Sequence, residues 1–128
     1  MSDKAKILII DDEEDICYFS KSILEGTGKF EVIVTTNAKE GIELAKIHKP
    51  ALILLDIFMP DMDGSQVAEC LLGNESTKTI PIAFLTALVK EKDLEQNTGV
   101  IGGRYFIPKP VTSKELVAKV ESILTEKR

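Results

Sequence analysis

Four places in the sequence hold side chains that could do chemistry together. Asp11-Asp12 opens the acidic run Asp11-Asp12-Glu13-Glu14-Asp15, and Asp56 ends the apolar run Ala51-Leu52-Ile53-Leu54-Leu55. Thr86 follows Phe84-Leu85, and Lys109 stands between Pro108 and Pro110. Carboxylates brought close together repel and raise one another's pKa unless a cation neutralises them. A hard divalent ion with oxygen ligands does that, and Mg2+ is the usual one. A carboxylate, a cation and an ammonium around an open position make a phosphate-sized site. Asp56 could there attack a phosphoryl group to form an acyl phosphate, with Mg2+ and Lys109 stabilising charge on the transferring oxygens. Taken singly, Lys109 reads as a snorkelling surface lysine and Thr86 as a helix N-cap. Glu13, Glu14 and Asp15 read as solvated acids favoured by a helix N-terminus.

The elements around these residues alternate. Lys6-Ile7-Leu8-Ile9-Ile10 is a buried strand that runs into the acids. A first helix follows, with Ile16, Phe19, Ser20, Ile23 and Leu24 on one core-facing stripe, ended by Gly26 and Gly28. Phe30 to Thr35 is a more polar strand suited to a sheet edge. Asn37 caps a second helix, which turns Ile42 and Ala45 inward and stops before Pro50. The run into Asp56 has no polar alternation, so it reads as a strand covered on both faces. A third helix starts near Gly64-Ser65 and buries Val67, Ala68, Leu71 and Leu72. Residues 80 to 85 form a fourth strand, with Pro81 at its start, where a missing donor costs little. A fourth helix is expected over 88 to 99, although Val89, Leu94 and Val100 make only a ragged stripe. Arg104 to Ile107 is the fifth strand. A last helix starts near Thr112 or Ser113, with Glu115 helping to cap it and Leu116, Val120, Ile123 and Leu124 facing the core.

This alternation predicts an α/β fold, a (βα)5 doubly wound, five-stranded parallel sheet of flavodoxin-like order 2-1-3-4-5. Strands one and three are then neighbours, so Asp11, Asp12 and Asp56 meet at the topological switch point. With 128 residues, 44% hydrophobic and 29% charged, the expectation is one globular domain over 1–128. No apolar run approaches the ~20 residues that span a bilayer, so no membrane contact is expected. The net charge of −5 argues against direct nucleic-acid binding by this chain. Cys17 and Cys70 read as small buried or half-buried apolar residues in a reducing cytoplasm, and His48 as a solvent-facing loop residue.

The sequence resembles a receiver domain of the bacterial response-regulator family over essentially its whole length. The matching residues are Asp11-Asp12, Asp56 with Met59-Pro60 and Asp63-Gly64, Thr86-Ala87, and Lys109-Pro110. The resemblance implies a phosphorylation-dependent signalling module of a two-component phosphorelay, not a turnover enzyme. It makes Asp56 the phosphoacceptor for a histidine kinase or histidine phosphotransfer protein. It assigns Mg2+ to Asp12, Asp56 and the Phe58 carbonyl, with Asp11 acting largely through water. Lys109 is implied to pair with Asp56 and then with the phosphoryl group, Thr86 to swing in to a phosphoryl oxygen, and Phe106 to fill the space that Thr86 leaves. Tyr105 should point the other way. The response would appear on the face of the fourth helix, fifth strand and fifth helix. A downstream effector, a fused output domain and a phosphorylation-dependent homodimer all stay open.

Phe58 and Leu88 flank the family's route for attacking water and cannot orient it, which implies slow self-dephosphorylation. An aspartate-nucleophile phosphohydrolase of the haloacid-dehalogenase type would want an acid two residues after Asp56, where Phe58 stands. A flavodoxin-like cofactor carrier would want a Ser/Thr/Gly-rich phosphate loop after the first strand, where only acids stand. A degenerate receiver used only for docking would not need the complete acid, threonine and lysine set.

Overall fold

The computed structural model describes residues 4–57, 59–60, 62–86, 100–101, 104–109 and 112–126. Its elements in chain order are β1 (Ala5–Ile10), α1 (Glu14–Gly26), β2 (Phe30–Thr35), α2 (Ala38–His48), β3 (Leu52–Asp56), α3 (Gly64–Leu72), β4 (Ile82–Thr86), β5 (Val100–Ile101), β6 (Arg104–Pro108) and α4 (Ser113–Glu126). Strands β2-β1-β3-β4-β6 lie side by side and parallel, the order expected for a doubly wound sheet. The two residues of β5 pair antiparallel with β6 and add a sixth strand beyond the five expected. The fourth helix anticipated over 88–99 lies outside the described residues.

The apolar runs dictate this layering. Ile7 to Ile10 and Leu52 to Leu55 are fully buried, and alternate residues of each strand serve opposite faces. Ile7, Ile9, Leu52 and Leu54 pack with Leu24 of α1 and with Leu116, Val120 and Ile123 of α4. Leu8, Ile10, Ile53 and Leu55 pack with Ala38, Ile42 and Ala45 of α2 and with Val67, Ala68 and Leu71 of α3. Among the described residues α1 and α4 therefore cover one face of the sheet and α2 and α3 the other, with β1, β2 and β3 each leading into its helix from the carboxyl end of the strand.

Local chemistry sets the boundaries. Asn37 accepts from the Glu40 N–H and starts α2. Asp63 and Gln66 form a reciprocal capping box that starts α3. Thr112 and Glu115 exchange the same pair of bonds before α4.

Several expectations need correction. Phe19 is 43% exposed and Leu72 47% exposed, not buried, and Cys70 is exposed where a buried or half-buried residue was expected. In α1 the covered residues are Cys17, Ser20 and Leu24, and Phe19 falls about a third of a turn from the centre of that stripe. Leu72 is the last residue of α3, beyond the edge of the face that Val67, Ala68 and Leu71 bury. His48 is the last residue of α2 and half-buried, not a loop residue. β4 begins at Ile82, because the Ile80 N–H is taken by a turn to the Thr77 carbonyl.

Candidate functional site

Strand register alone gathers the acids. Ile10 lies opposite Leu55, so the next residue on each strand, Asp11 and Asp56, leave the sheet side by side. Asp56 is in register with Leu85, and Thr86 with Pro108, which sets Thr86 and Lys109 at the same edge. The Lys109 N–H donates to the Thr86 carbonyl at 2.9 Å and ties the ends of β4 and β6 together. The site thus occupies the carboxyl edge of the parallel sheet, at the switch point between β1 and β3.

The β3–α3 turn is fixed from below. The Gly64 N–H donates to the Ile57 carbonyl at 2.6 Å. A Cβ at Gly64 would collide with the Asp56 carbonyl oxygen and lie 2.7 Å from Ile57 Cα. Glycine is required there for this close approach.

Asp11, Asp12 and Asp56 each bring one carboxylate oxygen within 4.8 Å of the others. Asp11 and Asp56 are buried and Asp12 is exposed. The Lys109 ammonium lies 2.9 Å from Asp11 Oδ2, 2.9 Å from Glu13 Oε1 and 3.6 Å from Asp56 Oδ1. Its approach to Asp11 Oδ2 is that of an ion pair without hydrogen-bond alignment. That buried oxygen finds no hydrogen-bond donor among the described residues.

The electrostatics follow from burial and crowding. Burial, then a hydrogen bond with Asp12 and the charge of Asp11, raises the Asp56 pKa to about 7, against the opposing pull of Lys109. Burial also raises that of Asp11, opposed by the Glu13 N–H and by Lys109. Burial disfavours the Lys109 ammonium, but Asp11 and Glu13 outweigh it and hold its pKa above the ordinary lysine value. Among the described residues a single ammonium stands among these carboxylates, which leaves them with excess negative charge. Three hard oxygen donors within 4.8 Å of one another suit Mg2+ well.

Phe106 stacks on Phe84, with ring centroids 5.4 Å apart. It packs toward the α2–α3 side, while Tyr105 packs toward the α1–α4 side, as strand alternation requires. Thr86 is buried and lies two residues from Phe84 on β4, hence on the Phe106 face. Phe58, expected to lend a carbonyl to the ion, and Leu88 lie outside the described residues.

Two neighbours were not legible as part of the pocket. Glu13 reads in sequence as a solvated acid at a helix start, yet it bonds Lys109; its place in the run Asp11–Asp15 is the one signal. Cys17 donates its thiol to the Asp11 carbonyl at 3.3 Å. Burial and the nearby Asp11 charge push that thiol up to about 11, so it is a neutral packing group.

The model for the response regulator receiver domain matches residues 7–121. Protein PilH of Pseudomonas aeruginosa is 32% identical over 94% of this chain and 98% of its own length. The polar-differentiation response regulator DivK of Brucella anthropi is 30% identical over 92% and 94%. The alkaline phosphatase synthesis regulator PhoP of Bacillus subtilis is 34% identical over 93% of this chain but 48% of its own length. The chain spans about half the length of several curated relatives that it matches. Among solved structures, a two-component response regulator from Clostridium difficile superposes with a TM-score of 0.78 at 30% identity, covering 96% of this chain and 98% of that one.

Proposed function

This chain belongs to the response regulator receiver domain family, and we propose that it is a phosphorylation-dependent receiver with Asp56 as the acceptor. Receiver domains of this family serve two-component systems as signalling domains rather than classical enzymes. They interact with histidine kinases and output effectors and bind Mg2+ at an acidic pocket. The observation that carries the finer reading is Asp56 itself. It is a buried carboxylate at the end of the central strand, clustered with Asp11 and Asp12 and 3.6 Å from Lys109.

In the proposed reaction an Asp56 carboxylate oxygen attacks the phosphorus of a phosphohistidine on a histidine kinase or phosphotransfer protein. The O–P bond forms as the N–P bond breaks, and that electron pair leaves with the imidazole. Asp56 must be ionised to attack, and its raised pKa works against this. Asp12 and Asp56, with the Phe58 carbonyl, would hold Mg2+, and Asp11 would act largely through water. When bound, the ion supplies the positive charge that lets the carboxylates ionise together and neutralises the phosphoryl oxygens. Lys109 then pairs with a phosphoryl oxygen, and the Thr86 hydroxyl donates to another. Phe106 fills the space that Thr86 leaves. The phosphoryl group shifts this two-state equilibrium through its differential contacts with Lys109 and Thr86.

The readout surface among the described residues is the face of β6 and α4, for an effector, an output domain or a second copy. We place the module in the cytoplasm, where histidine kinases present their phosphoryl groups. No helix among the described residues is long and apolar enough to cross a membrane. Incubation with a phosphorylated histidine kinase tests the reading. Label should move to the chain as an acid-stable, hydroxylamine-labile acyl phosphate, and Asp56→Asn should abolish it. Transfer that survives Asp56→Asn would place the acceptor elsewhere. Kinase binding without transfer would favour a docking module.

A further inference from the structure

The Lys109 ammonium does not sit midway among its acids. It is 0.7 Å closer to Glu13 Oε1, at 2.9 Å, than to Asp56 Oδ1, at 3.6 Å, and it donates a hydrogen bond to Glu13. The Glu13 backbone is held from both sides. Its N–H donates to Asp11 Oδ1 at 2.9 Å, and its carbonyl accepts from the Ile16 and Cys17 N–H groups. Glu13 occupies the N-cap of α1, but its side chain makes no capping bond. Glutamate is not a favoured N-cap residue. The side chain reaches across to Lys109 instead. The two partners on the β1 side differ in kind. Asp11 is fully buried, whereas the Glu13 side chain is 60% exposed and can turn into water at little cost.

We infer that Glu13 is a positioning residue, a releasable latch that holds Lys109 on the β1 side of the pocket until a phosphoryl group on Asp56 draws it across. The inference rests on Asp56 being the acceptor. Phosphorylation adds negative charge and acceptor oxygens at Asp56. Lys109 must give up part of its present contacts to reach them, and the exposed Glu13 is the contact that yields. Weakening the latch lowers the cost of that move, so phosphoryl uptake should quicken.

The test compares the natural chain with Glu13→Gln and Glu13→Asp, following phosphoryl uptake from acetyl phosphate with Mg2+ by intact mass. Glu13→Gln keeps the reach and removes the charge; Glu13→Asp keeps the charge and shortens the reach. Both should take up phosphoryl about twofold to fivefold faster, the range that an ion pair with one exposed partner supports. Beryllofluoride, a phosphoryl mimic that needs no transfer chemistry, should bind more tightly to both by the same factor in calorimetry with Mg2+. Faster uptake in Glu13→Gln alone would mean that Glu13 merely repels the anionic donor, and would overturn the latch. Equal rates and affinities in all three proteins would overturn it too, while leaving the receiver reading standing. No uptake and no beryllofluoride binding in any of them would overturn both. A purely structural role for Glu13 in α1 would shift the urea midpoint and leave the beryllofluoride affinity unmoved.

Discussion

Replacing Asp56 by asparagine should stabilise this protein when no divalent cation is present, and the gain should grow with pH. Folding raises the Asp56 pKa from 3.8 to about 7, through burial first and then Asp12 and Asp11. An acid with a raised folded pKa contributes most below its unfolded value, and that contribution disappears as pH rises through the folded value. The window here runs from about pH 4 to about pH 7. At ~1.4 kcal/mol per tenfold change in proton affinity, ionised Asp56 costs at most about 4 kcal/mol above that window. The nearby Asp11 titrates with it and relaxes part of the cost, so Asp56→Asn should recover about 2 kcal/mol near pH 9 and little near pH 5. Urea denaturation followed by circular dichroism, in chelator, measures both values. Mg2+ should close the gap by stabilising the natural chain alone. Equal stability near pH 9, or a gain that does not change with pH, would refute the electrostatic reading of the pocket.

Lys109→Met should destabilise the apoprotein by about 3 kcal/mol near neutral pH, because the buried Asp11 carboxylate loses its cation; a cost under about 1 kcal/mol by urea denaturation would contradict this. Gly64→Ala should cost about 1–3 kcal/mol and slow phosphoryl uptake, since the added methyl group pushes on the Asp56 and Ile57 backbone. A natural-like unfolding midpoint would show that the turn yields freely. Mg2+ should raise the melting temperature of the natural chain by mass action, and Asp12→Asn should remove most of that rise; a rise that survives would place the ion elsewhere. The phosphorylated protein should lose its phosphoryl group slowly, and the double change Phe58→Asn, Leu88→Glu should speed the loss. A slower decay in the double variant would reverse that expectation.

Much of the framework could be read from the chain because local signals agreed with the global fold. The unbroken apolar runs 7–10 and 52–55 are buried on both faces, so the central strands and the Asp11–Asp56 meeting followed from pattern and topology alone. Asn37 and Glu115 announced their helices through capping chemistry, whereas the capping box of Asp63 and Gln66 was not read from the sequence. The small antiparallel strand β5 was missed because Val100-Ile101 is too short for a periodicity signal. The cue was Gly102-Gly103, two glycines between Val100-Ile101 and Arg104-Tyr105, the spacing of a hairpin. Phe19 and Leu72 were misplaced because each sits at the margin of a helical stripe, where the angle alone decides poorly. Glu13 was missed for a different reason. A helix N-terminus accounts for any acid near it, and only the folded arrangement bonds this one to a lysine 96 residues away.

The most direct test of the central claim is the intact mass of the chain after incubation with acetyl phosphate, with and without Mg2+, beside Asp56→Asn. A gain of one phosphoryl group that needs both Mg2+ and Asp56 is the predicted result. A gain that persists without Mg2+ or in Asp56→Asn would contradict the account.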